Sequence, residues 1–247
     1  MKKLMTIAAV AAIAGSVFAA ACTEDQTQCY AVFKITGSGK IDSEIEKGDA
    51  AYKTVQSLKI KKGYFVASQA EYAVYAQTKF GKVTRSAYIP GEGGWYAFGK
   101  NMDTLVEGDY KSGKSYSLES SIYFAGEGED DAGNGIDLAA VAFGKVSVKI
   151  TKGKSSDCGE STKACQMIVT PSSYKGWFVG TVDSDGDAYA IGLECTTASK
   201  TLGCLFLEEE CPTDCFGGTF KLKYDKSQSG CKKYAEDRFA KLVGFEM

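Results

Sequence analysis

Lys62-Gly63-Tyr64-Phe65-Val66-Ala67-Ser68-Gln69-Ala70-Glu71-Tyr72-Ala73-Val74-Tyr75 is the stretch that decides the fold. Apolar and aromatic residues run to Ala67, a mainly polar break spans Ser68 to Glu71, and an alternating run resumes at Tyr72. Successive side chains of an extended chain point to opposite faces, so two such runs around a short break predict a β-hairpin. The arrangement recurs twice. Ile122-Tyr123-Phe124-Ala125 leads through a polar turn to Leu138-Ala139-Ala140-Val141, and Trp177-Phe178-Val179-Gly180 leads to Tyr189-Ala190-Ile191-Gly192. With 28 glycines and only Pro90, Pro171 and Pro212 as prolines, the chain reads as strands joined by tight turns.

Helical patterning is thin. Residues 42–58 fit a short helix opening at Asp42 and interrupted by Gly48. In 231–247, Phe239, Val243 and Phe245 fit a terminal strand as well as a helical stripe. The predicted class is therefore mainly β: antiparallel hairpins in a sandwich-like or barrel-like arrangement, with little helix.

Two levels of repetition divide the chain. Cys22-x6-Cys29 has the spacing of Cys158-x6-Cys165, and Lys62-Gly63-Tyr64-Phe65-Val66 echoes Lys175-Gly176-Trp177-Phe178-Val179. Phe143-Gly144 and Phe216-Gly217 each open an alternating run that reaches a cysteine fifteen residues later, Cys158 and Cys231. These echoes predict two related modules, 22–157 and a cysteine-rich 158–247, the shorter one leaning more on cross-links because a small domain buries less core.

The start of the chain reads as an export signal. Lys2 and Lys3 precede an apolar stretch from Leu4 to Phe18, and Ala19-Ala20-Ala21 supplies the small residues of a cleavage site. Residues 1–21 are expected to be removed, leaving a mature chain secreted, periplasmic or at the cell surface, where disulfides persist. The nine cysteines are then read as a disulfide framework drawn from Cys29, Cys158, Cys165, Cys195, Cys204, Cys211, Cys215 and Cys231. Cys195 and Cys204 flank an eight-residue segment that can close a hairpin. The odd count sets Cys22 apart. Ala19-Ala20-Ala21-Cys22 is similar to the lipobox of bacterial lipoproteins, which implies a lipid anchor at Cys22, although leucine is usual at the first position. The alternative is plain secretion with Cys22 as the odd thiol. Secretion is preferred over anchoring, since the spacing of Cys22 to Cys29 belongs to the repeat and suggests that Cys22 is itself bonded.

Composition excludes several functions. There is no histidine, which removes serine-protease-type triads, cysteine–histidine pairs and histidine-ligated metals. A net charge of −2, falling to −4 once Lys2 and Lys3 leave, gives no reason to expect nucleic acid. Arg85 and Arg238 are the only arginines, so functions built on bidentate phosphate recognition lose ground.

Two candidate sites remain. Asp183-Ser-Asp185-Gly-Asp187, with Glu194 at the twelfth position, resembles an EF-hand calcium loop, because alternate carboxylates in a tight loop converge on a hard cation. Ala188 stands where that loop needs glycine, and strands flank it, so a solvated hairpin turn is preferred and calcium is the sole cofactor candidate. The turn with Glu127, Glu129, Asp130 and Asp131 is read the same way. Trp95, Tyr96 and Trp177 are the aromatic side chains a polysaccharide-binding face would use, with core packing as the plainer reading. No residue is singled out as catalytic. The expected function is an exported, non-catalytic structural or surface-interaction protein with no ligand identified. The alternatives are a secreted carbohydrate-binding module and a carboxylate-only hydrolase. Expected partners are a cell-surface or extracellular polymer, and a membrane only through a lipid at Cys22.

Overall fold

The computed structural model describes residues 29–43, 56–68, 71–152, 165–183, 214–231 and 238–245. The hairpins predicted at 62–75 and 122–141 both form, with Ala67 opposite Tyr72 and Ala125 opposite Ala139. The partner run expected after Trp177–Gly180 lies outside the described residues. So does the 195–204 hairpin.

Strands β1 (Cys29–Ser43), β2 (Gln56–Ala67), β3 (Tyr72–Phe80) and β4 (Val83–Phe98) follow one another as an antiparallel meander. A short helix, α1 (Asn101–Val106), separates them from β5 (Ser115–Asp130) and β6 (Gly135–Lys152). The short β7 (Cys165–Pro171) pairs with β6 beyond the stretch of β6 used by β8 (Ser173–Asp183), and β9 (Asp214–Tyr224) follows β8. Strand β9 pairs back with β1, from Phe33 opposite Tyr224 to Ser43 opposite Asp214. Eight strands thus close into an antiparallel barrel, the barrel-like alternative of the predicted class. The boundary expected at 157/158 falls between β6 and β7, and strands from both sides share this one barrel wall.

Closure satisfies the hydrogen-bonding edges that an open sheet leaves exposed. It also brings backbones together at the seam, where a Cβ on Gly39 would overlap the Gly217 carbonyl oxygen. Glycine there is a requirement of close approach. Register shifts between Lys34 and Gly37 in β1, and between Ile60 and Lys62 in β2, add the local bend a closed wall needs.

The alternation read in the sequence becomes an inside and an outside. Ile35, Phe65, Val74, Ile89, Phe124 and Leu222 point inward and are buried, whereas Lys34, Lys40, Lys59, Lys79, Lys221 and Lys223 on β1–β3 and β9 are exposed. On these strands the outward face is charged, unlike the apolar outward band of a membrane barrel.

One half of the interior is filled. Phe33 is fully buried, its ring centroid 5.7 Å from Tyr174, 5.9 Å from Trp95, 5.6 Å from Tyr224 and 6.1 Å from Phe65. Trp95 Nε1 donates to both Tyr174 OH and Ser120 Oγ, at 2.9 Å each. Tyr174 OH donates to Ser120 Oγ at 2.9 Å, and Ser120 Oγ donates to the Tyr96 carbonyl at 2.7 Å. Burial pushes the Tyr174 phenol up to about 12, so the network is neutral. Every polar group in it has a partner, which buried polar networks must provide. Leu105 of α1 joins the same core at the end where β4 finishes and β5 begins.

Outside the wall, helix α2 (Arg238–Val243) lays Phe239, Ala240 and Val243 on Val32, Val66, Ala73 and Tyr75. The run 231–247 therefore carries a helix, which settles the two readings its apolar spacing allowed. The helix expected over 42–58 is corrected at both ends, since Asp42 pairs with Cys215 in β1 and 56–58 belong to β2. Barrel register outweighs a weak local propensity there. The turn after β9 is held by Asp225, whose carboxylate meets Lys34 Nζ at 3.0 Å. Burial opposes ionisation of Asp225, but hydrogen bonds from Ser227 and Lys34 outweigh it and hold the carboxyl below its usual range.

Candidate functional site

The other half of the barrel interior is not filled. A cavity of about 120 Å³ lies between the inward side chains near the ends of the strands. Ile41 from β1, Leu58 from β2, Phe80 from β3, Ile136 from β6, Val182 from β8 and Phe216 from β9 stand at its rim. Phe65, Ile122, Phe124 and Phe178 form deeper walls. Alanines at 76, 87 and 140 leave the space that larger residues would take. The lining is apolar except for Thr78, Arg85 and Asp130.

These three polar residues sit together. Thr78 is directly opposite Arg85 across β3–β4, and Asp130 ends β5 beside them. Asp130 is a turn residue first. Its Oδ1 accepts from the Ala132 and Asn134 amides at 2.8 and 3.0 Å, and its Oδ2 accepts from Asn134 Nδ2 at 2.7 Å. Arg85 Nε lies 3.6 Å from that Oδ2, an ion pair too long to be a hydrogen bond. The Arg85 side chain is 34% exposed and that of Asp130 is 4% exposed, so the pair marks the boundary between cavity and solvent.

The sequence candidates scatter. Trp95 belongs to the filled floor and its indole N–H is already used, so it is not available as a ligand-stacking surface. Tyr96 and Trp177 do face outward. Tyr96 stacks on Tyr123 at 6.0 Å, and Trp177, half-exposed, meets the equally exposed Phe143 at 6.4 Å. Glu127 and Glu129 are exposed on the outer wall, Asp131 is exposed in the turn, and Asp130 turns inward. Among the described residues no three metal-binding side chains gather. Asp183 ends β8, while Asp185, Asp187 and Glu194 lie outside the described residues, as do Cys22, Cys158, Cys195, Cys204 and Cys211.

Sequence reasoning missed the cavity and undervalued Arg85. A signal was present: Arg85, Ala87 and Ile89 share one strand parity, so an arginine stands in an inward-facing row.

A second buried acid lies on the outer wall. Asp137 is opposite Glu127 and Thr181 in the register and is 3% exposed. Burial, reinforced by Glu127, pushes its carboxyl up to about 6. An acid whose folded value exceeds its unfolded one binds its proton more readily in the folded state. Stability therefore rises as pH falls through about 6, until the unfolded carboxyl also titrates near 4. Asp137→Asn is expected to stabilise the protein at pH 7 by about 1–2 kcal/mol, below the full linkage value because the amide keeps a polar atom at the buried position where Oδ2 has no hydrogen-bond partner. The gain should shrink to about a third near pH 4.5 and vanish only below the unfolded carboxyl's value near 4. Urea unfolding at both pH values checks this, and an equal effect at the two would refute it.

Compared with protein-family models, with curated proteins and with solved structures, the chain matches none.

Proposed function

We propose that this is an exported, non-catalytic binding protein that takes one small apolar molecule into the mouth half of its barrel. The unfilled apolar cavity carries the reading. Protein interiors are close-packed, and a void forfeits the dispersion contacts of every side chain lining it. Here the missing contacts lie at the mouth of an eight-stranded barrel, an architecture with room for one small ligand. A cavity of about 120 Å³ suits a single ring or a short alkyl chain, since an engineered cavity of about 150 Å³ holds benzene. The remaining interior is packed and hydrogen-bonded, which gives the ligand a fixed floor.

Calorimetric titration with 1-octanol and with benzyl alcohol tests the proposal. Saturable binding of one molecule per chain is expected, with a negative heat-capacity change from apolar burial. Ala140→Leu places bulk in the cavity and should weaken binding at least tenfold while the protein stays folded; Ala76→Val is the gentler second variant. Binding unaffected by both would overturn the assignment. So would retention on an insoluble polysaccharide that Trp177→Ala abolishes while neither alcohol binds, which moves the function to the outer aromatic wall.

The export reading brings cross-links with it. The β1–β10 register, with β10 at Gly230–Cys231, sets Cys29 directly opposite Cys231. We infer that these two cysteines are bonded in the exported protein, because antiparallel neighbours at one register position have the Cα separation a disulfide spans.

A further inference from the structure

Arg85 has more donors than its surroundings use. Its Nε is buried without a hydrogen-bond acceptor, while its carboxylate neighbour Asp130 is committed to Ala132 and Asn134. A buried N–H without an acceptor is costly, and the other atoms lining this part of the barrel are almost all apolar. Thr78 adds a hydroxyl directly across the strand pair. The chain has only two arginines among its 29 basic residues, and this one lines the interior. A lysine would supply only a point charge, whereas a guanidinium offers the planar fork that fits a carboxylate.

On these grounds the geometry points to Arg85 as an anchor for a carboxylate. The ligand would be a small apolar acid, with its hydrocarbon body among Ile122, Phe124 and Phe178 and its acid group at the rim between Arg85 and Thr78. Asp130 stays in place as the turn cap and balances the arginine charge in the empty barrel. The inference rests on the cavity reading above, and matched ligands separate the two.

The test compares sodium octanoate with 1-octanol, and sodium benzoate with benzyl alcohol, by calorimetry on the intact protein. Each acid is expected to bind at least tenfold more tightly than its alcohol, in line with a charge-assisted hydrogen bond. Arg85→Gln should remove that preference, bringing each acid to about the affinity of its matched alcohol measured in the same variant, and Arg85→Lys should retain part of it. Should Arg85→Gln fail to fold, the wild-type comparison and Arg85→Lys still decide. Alcohols binding as well as the acids in the wild type would overturn the anchor and leave the cavity reading standing. If no acid and no alcohol binds, both are overturned.

Discussion

Phe33→Ala is expected to cost about 3–5 kcal/mol, one of the largest losses any single side-chain truncation here should cause. Phe33 is fully buried and contacts four aromatic rings from β2, β4, β8 and β9. Its removal loses the transfer energy of the ring and leaves a hole that the surrounding wall is poorly placed to fill. Trp95 and Tyr174 are held by their hydrogen bonds to Ser120, and the backbone is held by the closed ladder, so collapse into the space is limited. Edge-to-face ring pairs add about 0.5–1.5 kcal/mol each beyond area burial. For a chain of this size the loss should lower the melting temperature by roughly 10 °C. Urea and thermal unfolding of Phe33→Ala and Phe80→Ala give the comparison. Phe80 lies at the cavity rim, where a smaller side chain leaves fewer contacts unmatched. A loss below about 1 kcal/mol for Phe33→Ala would show that the floor is not packed as described.

Breaking the inferred Cys29–Cys231 bond is the second large effect. It would join the first strand to β10 across a loop of about 200 residues, and closing such a loop in the unfolded chain is worth about 5 kcal/mol in the chain-entropy account. In the folded protein the register already holds the two positions opposite each other. The bond would also pin the end of β1 that lies beside the Asp225 turn, where Val32 accepts from Ser229 and the Asp225 amide. Cys29→Ser with Cys231→Ser should therefore lower the urea midpoint strongly without changing the apolar ligand site, which lies toward the other end of β1. Peptide mass mapping under non-reducing conditions should recover Cys29 and Cys231 in one linked pair. Two free thiols at these positions, or a bond from either to another cysteine, would refute the pairing.

How much of the architecture was legible depends on how local its cause is. The hairpin at Lys62–Tyr75 is written in five or six neighbouring residues on each side of a turn, and it forms as read. Helix α1 was not read because six residues from Asn101 to Val106 carry little periodicity, and Lys100 makes no side-chain cap. Trp95 and Trp177 look alike in sequence, each preceding another aromatic residue. Strand parity separates them, one to a hydrogen-bonded floor and the other to an exposed wall. Arg85 was read only as one of two arginines, a fact of composition that spoke against phosphate ligands, although its parity with Ala87 and Ile89 was there to be read. Its meaning changes once Thr78, Asp130 and the apolar lining surround it.

The sequence by itself determined that the chain is built of antiparallel hairpins, that histidine chemistry is absent, and which side chains can share a face. Those properties follow from steric alternation along one strand and from composition, and neither needs a distant contact. Tertiary structure alone decided that β9 returns to β1, that Phe33 and Trp95 fill one half of the interior, and that the other half stays open beside Arg85. Closure and cavity are sums over eight strands spread from residue 29 to residue 224. A void has no residue of its own to announce it, so it is legible only when all its walls are in place.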